Sequence, residues 1–308
     1  MNCWLPPPQT SRQLRRRCRF FLAHYLQVWL VMNIFPNMKH LIKRILLSIN
    51  LLDTARLVYS FLKKASFHGL AKEISLRKNG LPDQLPAPPS NLIFLVIRSV
   101  WAFEYWNSGL TIIDDLQTHL KSHSINADRF HRILDFGCGC GRLTRHLTRF
   151  KNAELFGADY NRDLIDWSSK TLPIAKFSQN NLEPPISFGS EYFDLILARS
   201  VFTHLDYQLQ YAWFQELHRI LQPGGFLYFT THSGLSTPGI GTDLNHRLNV
   251  GGFVSQNPEL QGDNKCSVYQ TKEWVYHNLA NGFSIIDYIP GRHVENLGQD
   301  IYIFQRST

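Results

Sequence analysis

The chain has 308 residues, 44% hydrophobic and 18% charged, a balance that supports a packed core and excludes a disordered or fibrous protein. Its formal charge of +8 is uneven: residues 1–80 hold 14 of the 32 Lys+Arg and 2 of the 24 Asp+Glu, leaving −4 for residues 81–308. The larger part therefore has no broad basic footprint, and no nucleic acid is expected as its partner.

Five cysteines (Cys3, Cys18, Cys138, Cys140, Cys266) are too few and too uneven for a secreted disulfide framework. A cytoplasmic location is expected. Residues 1–37 join an Arg cluster (Arg12, Arg15, Arg16, Arg17, Arg19) to "FFLAHYLQVWLVMNIF". Those 16 residues are short for a spanning helix, which needs roughly 20. They resemble the early regions of a signal peptide without its cleavage site; the other reading is that translation starts at Met38. Residues 38–80 form a basic amphipathic arm, with Leu41, Ile45, Leu52 and Leu62 at helical spacing and lysines and arginines on the other faces. Such a helix either lies on a membrane surface as a peripheral contact or docks its apolar stripe on the protein.

"LPDQLPAPPS" (81–90) has four prolines and reads as a linker or an extended covering strand. It opens a linker and cap segment, 81–130, in which "TIIDDLQTHLKSH" runs as an amphipathic helix. Trp101, Tyr105 and Trp106 there are either core or pocket-lining. From residue 131 short apolar runs alternate with helical segments: "RILDF", "RLTRHLTRF", "ELFGA", "RDLIDWSSK", "AKFSQ", "YFDLILARS", "YQLQYAWFQELHRIL" and "GGFLYFTTH". Alternation at this spacing implies βαβ units and an α/β, doubly wound, mostly parallel sheet with helices on both faces. "FSIIDYIP" and "QDIYIFQR" are joined by a segment too short for a crossover helix, and predict an antiparallel hairpin. Residues 233–270, after the fifth strand, form a long polar, Gly-rich insert of the kind that serves as a functional lid or stays disordered.

The first strand of this domain ends in "DFGCGCGRLT". Gly137, Gly139 and Gly141 provide the sharp turn and the close backbone approach a ligand needs at a strand-to-helix junction. A dinucleotide fingerprint places its third glycine one position later, where this chain has Arg142, and no Lys-Ser/Thr pair follows as in a phosphate-binding loop. A nucleoside-type ligand without a pyrophosphate remains. Cys138 and Cys140 lack a second Cys or His pair at ligand spacing, so no metal is expected.

At these residues the chain resembles the class I S-adenosylmethionine-dependent methyltransferases, from about Asn91 to Phe304. The glycine motif with its acidic residue matches Asp135 to Gly141. Asp159, 18 positions beyond Gly141, matches the carboxylate that grips the ribose hydroxyls. The resemblance further implies Tyr160 against the adenine, Asn180 and Asn181 at its edge, and Arg199, near the end of the fourth strand, beside the cofactor. It predicts a Rossmann-like sheet of seven strands with a reversed last strand, S-adenosyl-L-methionine as cofactor, and a small-molecule acceptor such as a saccharide or lipid-linked intermediate. The insert and the segment before the first strand would cover the acceptor. A base is needed only when the acceptor must lose a proton, and His204 and His232, near the ends of strands four and five, are the candidates; each is otherwise a packed structural residue. A nicotinamide oxidoreductase and a non-catalytic module of the same fold are the competing readings. The acceptor atom and the oligomeric state are not legible.

Overall fold

The computed structural model describes residues 67–232, 242–291 and 299–308, all within a compact unit spanning Lys63–Thr308. The N-terminal segment 1–37 and the arm up to residue 66 lie outside the described residues. Among the described residues no helix is long and apolar enough to cross a membrane.

The period-2 side-chain alternation of a strand is what builds the core here. In β1 (Arg132–Phe136), β2 (Glu154–Asp159), β4 (Phe193–Ala198) and β5 (Leu221–His232), alternate residues feed two separate apolar clusters. Leu134, Phe136, Phe156, Ala158, Ile196 and Phe229 face the cluster that holds Trp213, Phe214 and Leu217 of helix α6 (Tyr207–Ile220). Ile133, Leu155, Leu195, Leu197 and Tyr228 face Ile112, Ile113, Leu116 and Leu120 of helix α3 (Ala102–Ser122). A sheet covered on both faces is the arrangement parallel strands require. With β3 (Lys176–Gln179), the parallel order is β3-β2-β1-β4-β5.

The tail is the expected antiparallel hairpin: β8 (Phe283–Ile289) pairs with β9 (Gln299–Arg306), and β9 runs antiparallel to β5 from Phe226↔Gln305 to His232↔Gln299. These are the seven strands anticipated. The insert supplies two more, so neither the lid nor the disordered loop of the sequence reading describes it fully. After helix α7 (Thr242–Gly251), β6 (Phe253–Gln256) and β7 (Ser267–Gln270) pair antiparallel. β7 joins β5 only at His232↔Tyr269, beyond the last β4–β5 pair at Ala198↔Phe229. Helix α8 (Lys272–Leu279), capped by the Thr271 side chain, leads back to the hairpin.

The segment before β1 is packed rather than free. Helix α1 (Phe67–Asn79) ties to α3 because the Glu73 carboxylate accepts from the Ala102 N–H. The proline stretch 81–90 covers the short helix α4 (Thr144–Leu147): the buried Arg145 pairs with Asp83 at 2.6 Å and also donates to the Pro86 carbonyl. It is a docked cover, not a loose linker. Helix α2 (Ser90–Ile97) follows directly, and helix α5 (Arg162–Thr171) starts at the Asn161 side-chain cap.

Candidate cofactor-binding site

A cleft opens at the carboxyl ends of β1, β2, β3 and β4, where open α/β sheets take their ligands. Its floor is the glycine loop. Gly137, Gly139 and Gly141 have φ of 73°, 57° and 79°, the left-handed region that glycine occupies without a Cβ penalty. A Cβ would stand 2.4 Å from Val201 at Gly137 and 2.8 Å from Val96 of α2 at Gly139. Gly137 and Gly139 border the cleft. Gly141 instead closes the packing behind it, where a Cβ would meet Leu172 at 2.5 Å. The loop is further anchored by the Gly137 and Cys138 N–H groups donating to the Ala158 carbonyl and by the buried Tyr105 hydroxyl donating to the Cys140 carbonyl.

Asp159, 8% exposed, ends β2 in the cleft wall. Its Oδ2 accepts from the Gly139 N–H and its Oδ1 from the Asn161 N–H, both at 2.8 Å. Each oxygen thus spends one lone-pair direction on the backbone and keeps another for a ligand. Burial raises its pKa and these two bonds oppose the rise. Asp135 also borders the cleft, but its Oδ2 accepts from both the N–H and the hydroxyl of Thr144, capping α4. Burial pushes this carboxyl up to about 6.

The remaining expected residues divide. Tyr160, Asn180, Asn181, Arg199 and His204 border the cleft; His232 lies behind, its ring 6.4 Å from and perpendicular to that of His204. Asn180 Nδ2 donates to the Asn181 carbonyl while its Oδ1 is buried without a hydrogen-bond partner. Arg199 is hydrogen-bonded to the Tyr228 hydroxyl. His204 Nδ1 donates to the Cys266 carbonyl at 2.7 Å, and since a carbonyl only accepts, the ring lone pair is on Nε2. Burial lowers its pKa, so the ring is neutral at physiological pH. His232 Nε2 lies 3.3 Å from the Gln299 amide nitrogen, and burial pushes its pKa down to about 4.

The aromatic residues before β1 are core, not pocket wall: Trp101 and Tyr105 are buried and Trp106 stacks its edge against His146. The two loop cysteines are buried, and burial pushes the Cys140 thiol up to about 12, which disfavours thiolate chemistry.

The insert and the segment before β1, expected to cover the acceptor, form the roof of the cleft, through residues that the sequence did not single out. Residues 262–264 of the insert and Leu95 and Val96 of α2 cover it. The Gly262 carbonyl accepts from the Tyr160 hydroxyl (2.5 Å), the Gly262 N–H donates to the His204 carbonyl (2.8 Å), and the Asn264 side chain donates to the Leu95 carbonyl (2.7 Å). The "QGDN" turn cluster signals a loop tip but not where it lands. The insert therefore spans from Tyr160, next to Asp159, to His204.

A glycine-floored cleft with a paired-down carboxylate on the second strand and an unmet amide oxygen after the third is a seat for a nucleoside. The orphaned Asn180 Oδ1 has the polarity an adenine amino group requires, and Asp159 that of a ribose diol. Comparison gives the class a name. Residues 134–229 match the family model described as a methyltransferase domain. The likeness to a methyltransferase domain is thus carried by this stretch, about a third of the chain.

Among curated relatives, malonyl-[acyl-carrier protein] O-methyltransferase of Enterobacter lignolyticus is 35% identical over 112 residues, 36% of this chain and 43% of that one. Trans-aconitate 2-methyltransferase of Rhodopseudomonas palustris is 30% identical over 118 residues, 37% of this chain and 43% of the relative. The chain thus spans less than half the length of the curated relatives it matches. The crystal structure of an S-adenosylmethionine-dependent methyltransferase from Mesorhizobium loti shares the fold, with a TM-score of 0.50 at 15% identity, covering 64% of this chain and 98% of that one.

Proposed function

We propose that this protein transfers a methyl group from S-adenosylmethionine to a small-molecule acceptor. The observation that carries the reading is Asp159, buried at the cleft wall with one backbone donor on each oxygen. When bound, the cofactor supplies an electrophilic methyl on a sulfonium. Asp159 would hold the ribose, the Gly137–Gly139 backbone would take the thioether side, Asn180 Oδ1 would accept from the adenine edge, and Tyr160 would flank the base. Holding the reactants in line and excluding water is the main catalytic task, which suits a roof bonded to both walls of the cleft.

His204 is the general base for an acceptor that must lose a proton, because Cys266 fixes its Nδ1–H and leaves Nε2 free at neutral pH. An oxygen acceptor fits this role, as the name of the malonyl-[acyl-carrier protein] O-methyltransferase states for that relative. A saccharide or lipid-linked acceptor accords with a basic N-terminal arm (38–80) that touches membrane, in an otherwise cytoplasmic protein.

Calorimetry with S-adenosylmethionine and with NAD tests the reading. Binding of the first alone is expected, and absence of heat with it overturns the proposal. Asp159→Ala should weaken cofactor binding by about tenfold to a hundredfold, the worth of one or two hydrogen bonds to a charged group. Labelled-methyl turnover on a panel of hydroxylated, saccharide and carboxylated compounds then separates an enzyme from a non-catalytic module. With an accepted substrate, His204→Ala should lower kcat and remove its acidic limb; an unchanged pH profile excludes His204 as base.

A further inference from the structure

Ser200 lies two residues beyond the end of β4 and borders the cleft. Its φ is 60°, in the left-handed region where a residue other than glycine is strained. Three hydrogen bonds hold it there. Its N–H donates to the Thr230 hydroxyl at 2.9 Å, its carbonyl accepts from the Thr203 hydroxyl at 3.0 Å, and its own hydroxyl donates to Gln299 Oε1 at 2.9 Å. Glycine would serve the same turn without strain. A serine kept in this conformation at the wall of a cleft therefore points to its hydroxyl as the useful part.

The direction of the bonds fixes what that hydroxyl offers. Gln299 Oε1 also accepts from the Thr230 hydroxyl at 2.8 Å, and the amide nitrogen lies 3.3 Å from His232 Nε2. Thr230 is 0% exposed, so its proton needs a buried acceptor, and this orientation of the Gln299 amide supplies one. The Ser200 proton is spent on the same oxygen. What Ser200 Oγ keeps for a ligand is lone pairs, as does His204 Nε2. The two belong to one turn, closed by the His204 N–H on the Val201 carbonyl at 3.0 Å. Both border the cleft, and His232 links them, facing Gln299 with its Nε2 and His204 with its ring.

Two lone-pair groups on one turn match a ligand that brings two adjacent donors. We propose that the acceptor is a vicinal diol, on a saturated ring as in a sugar or on an aromatic ring. His204 Nε2 takes the proton of the reacting hydroxyl while that oxygen bonds the methyl carbon and the S–C bond leaves its electron pair on sulfur. Ser200 Oγ accepts from the neighbouring hydroxyl and so sets which of the two reacts. The inference rests on the methyl-transfer reading above and narrows its acceptor.

Labelled-methyl turnover by the full chain tests it on pairs that differ by one hydroxyl: cis-1,2-cyclohexanediol with cyclohexanol, and catechol with phenol. Wild type is expected to favour a diol over its partner by about tenfold in kcat/KM, the worth of one hydrogen bond. The pair that shows this preference assigns the ring type. A neighbouring methoxy group, which only accepts, should restore nothing, so 2-methoxyphenol and 2-methoxycyclohexanol should behave as the mono-ols. Ser200→Gly, which takes the same backbone without strain, should keep the thermal midpoint and bring diol and mono-ol together. Preference retained in Ser200→Gly, or a methoxy neighbour as good as a hydroxyl, overturns the inference. Calorimetry with S-adenosylmethionine separates the two levels of failure. Cofactor bound with no diol preferred, or with none methylated, overturns the diol and leaves the cofactor site standing, whereas absence of heat removes both.

Discussion

Gly109 illustrates how a single residue is held to its identity by a neighbour rather than by its own backbone. Glycine inside a helix costs about 1 kcal/mol relative to alanine, so an alanine in the middle of α3 should stabilise. Here a Cβ would stand 2.2 Å from the Arg142 carbonyl and 2.9 Å from the His146 ring. Gly109→Ala is expected to lose about 1–3 kcal/mol through overpacking, read as a drop in thermal midpoint. It should also disturb cofactor binding, because the carbonyl displaced belongs to the residue after the glycine loop.

His146 makes the pH argument at the same scale. It is 4% exposed, its Nε2 donates to the Trp106 carbonyl, and burial pushes its pKa from 6.5 down to about 4. The folded state therefore holds the ring neutral while the unfolded chain takes up a proton below pH 6.5. The contribution is complete above that pH and is lost as pH falls toward 4. His146→Gln, which keeps a donor for Trp106, should flatten the dependence of unfolding free energy on pH between about 6.5 and 4. The difference across the window should reach up to about 3 kcal/mol, measured by denaturant titration.

At the scale of elements, the proline-rich cover of α4 is held by one buried charge. Asp83→Ala would strand Arg145, which is 1% exposed and, among the described residues, has no other carboxylate against it. Breaking a buried pair from one side costs about 3–5 kcal/mol. The expected outcome is a large loss of stability, with proteolysis beginning near residues 81–90.

The strands and the reversed hairpin were legible because each depends on a local period or a local length. "RILDF" is β1 residue for residue, and its alternation already assigns Ile133 and Leu134 to opposite faces. The helix read into "RLTRHLTRF" shrinks to Thr144–Leu147, because the chain leaving Gly141 turns until the Asp135 side chain caps it, an interaction across nine residues. β6 and β7 were illegible for another reason: four residues each are too few for periodicity to distinguish from loop, and their strand character comes from pairing with each other. At the site, the glycines and Asp159 stand in one short stretch with fixed spacing. Val96, Gly262 and Asn264 come from distant segments, and no local pattern marks where tertiary packing delivers them.

For the molecule as a whole, the described unit is one sheet, covered on both faces, with its candidate site at the carboxyl end. The insert after β5 lengthens that end rather than the core. Val268 donates to the Thr203 carbonyl just before β7 meets His232, so the roof grows out of the sheet's own edge and is anchored beside His204. Tyr160→Phe removes the bond to Gly262 on the opposite wall. That variant should release S-adenosylhomocysteine several times faster in stopped-flow displacement, with little change in thermal midpoint, since Tyr160 is 40% exposed and packs little.

A span fastened at both banks of the cleft also sets an order of events. With the proposed nucleoside seated beneath it, entry would precede the lowering of the bridge and departure would follow its lifting. Turnover should then show an initial burst of methylated product followed by a slower steady phase paced by departure of the thioether, with compulsory-order patterns under product inhibition.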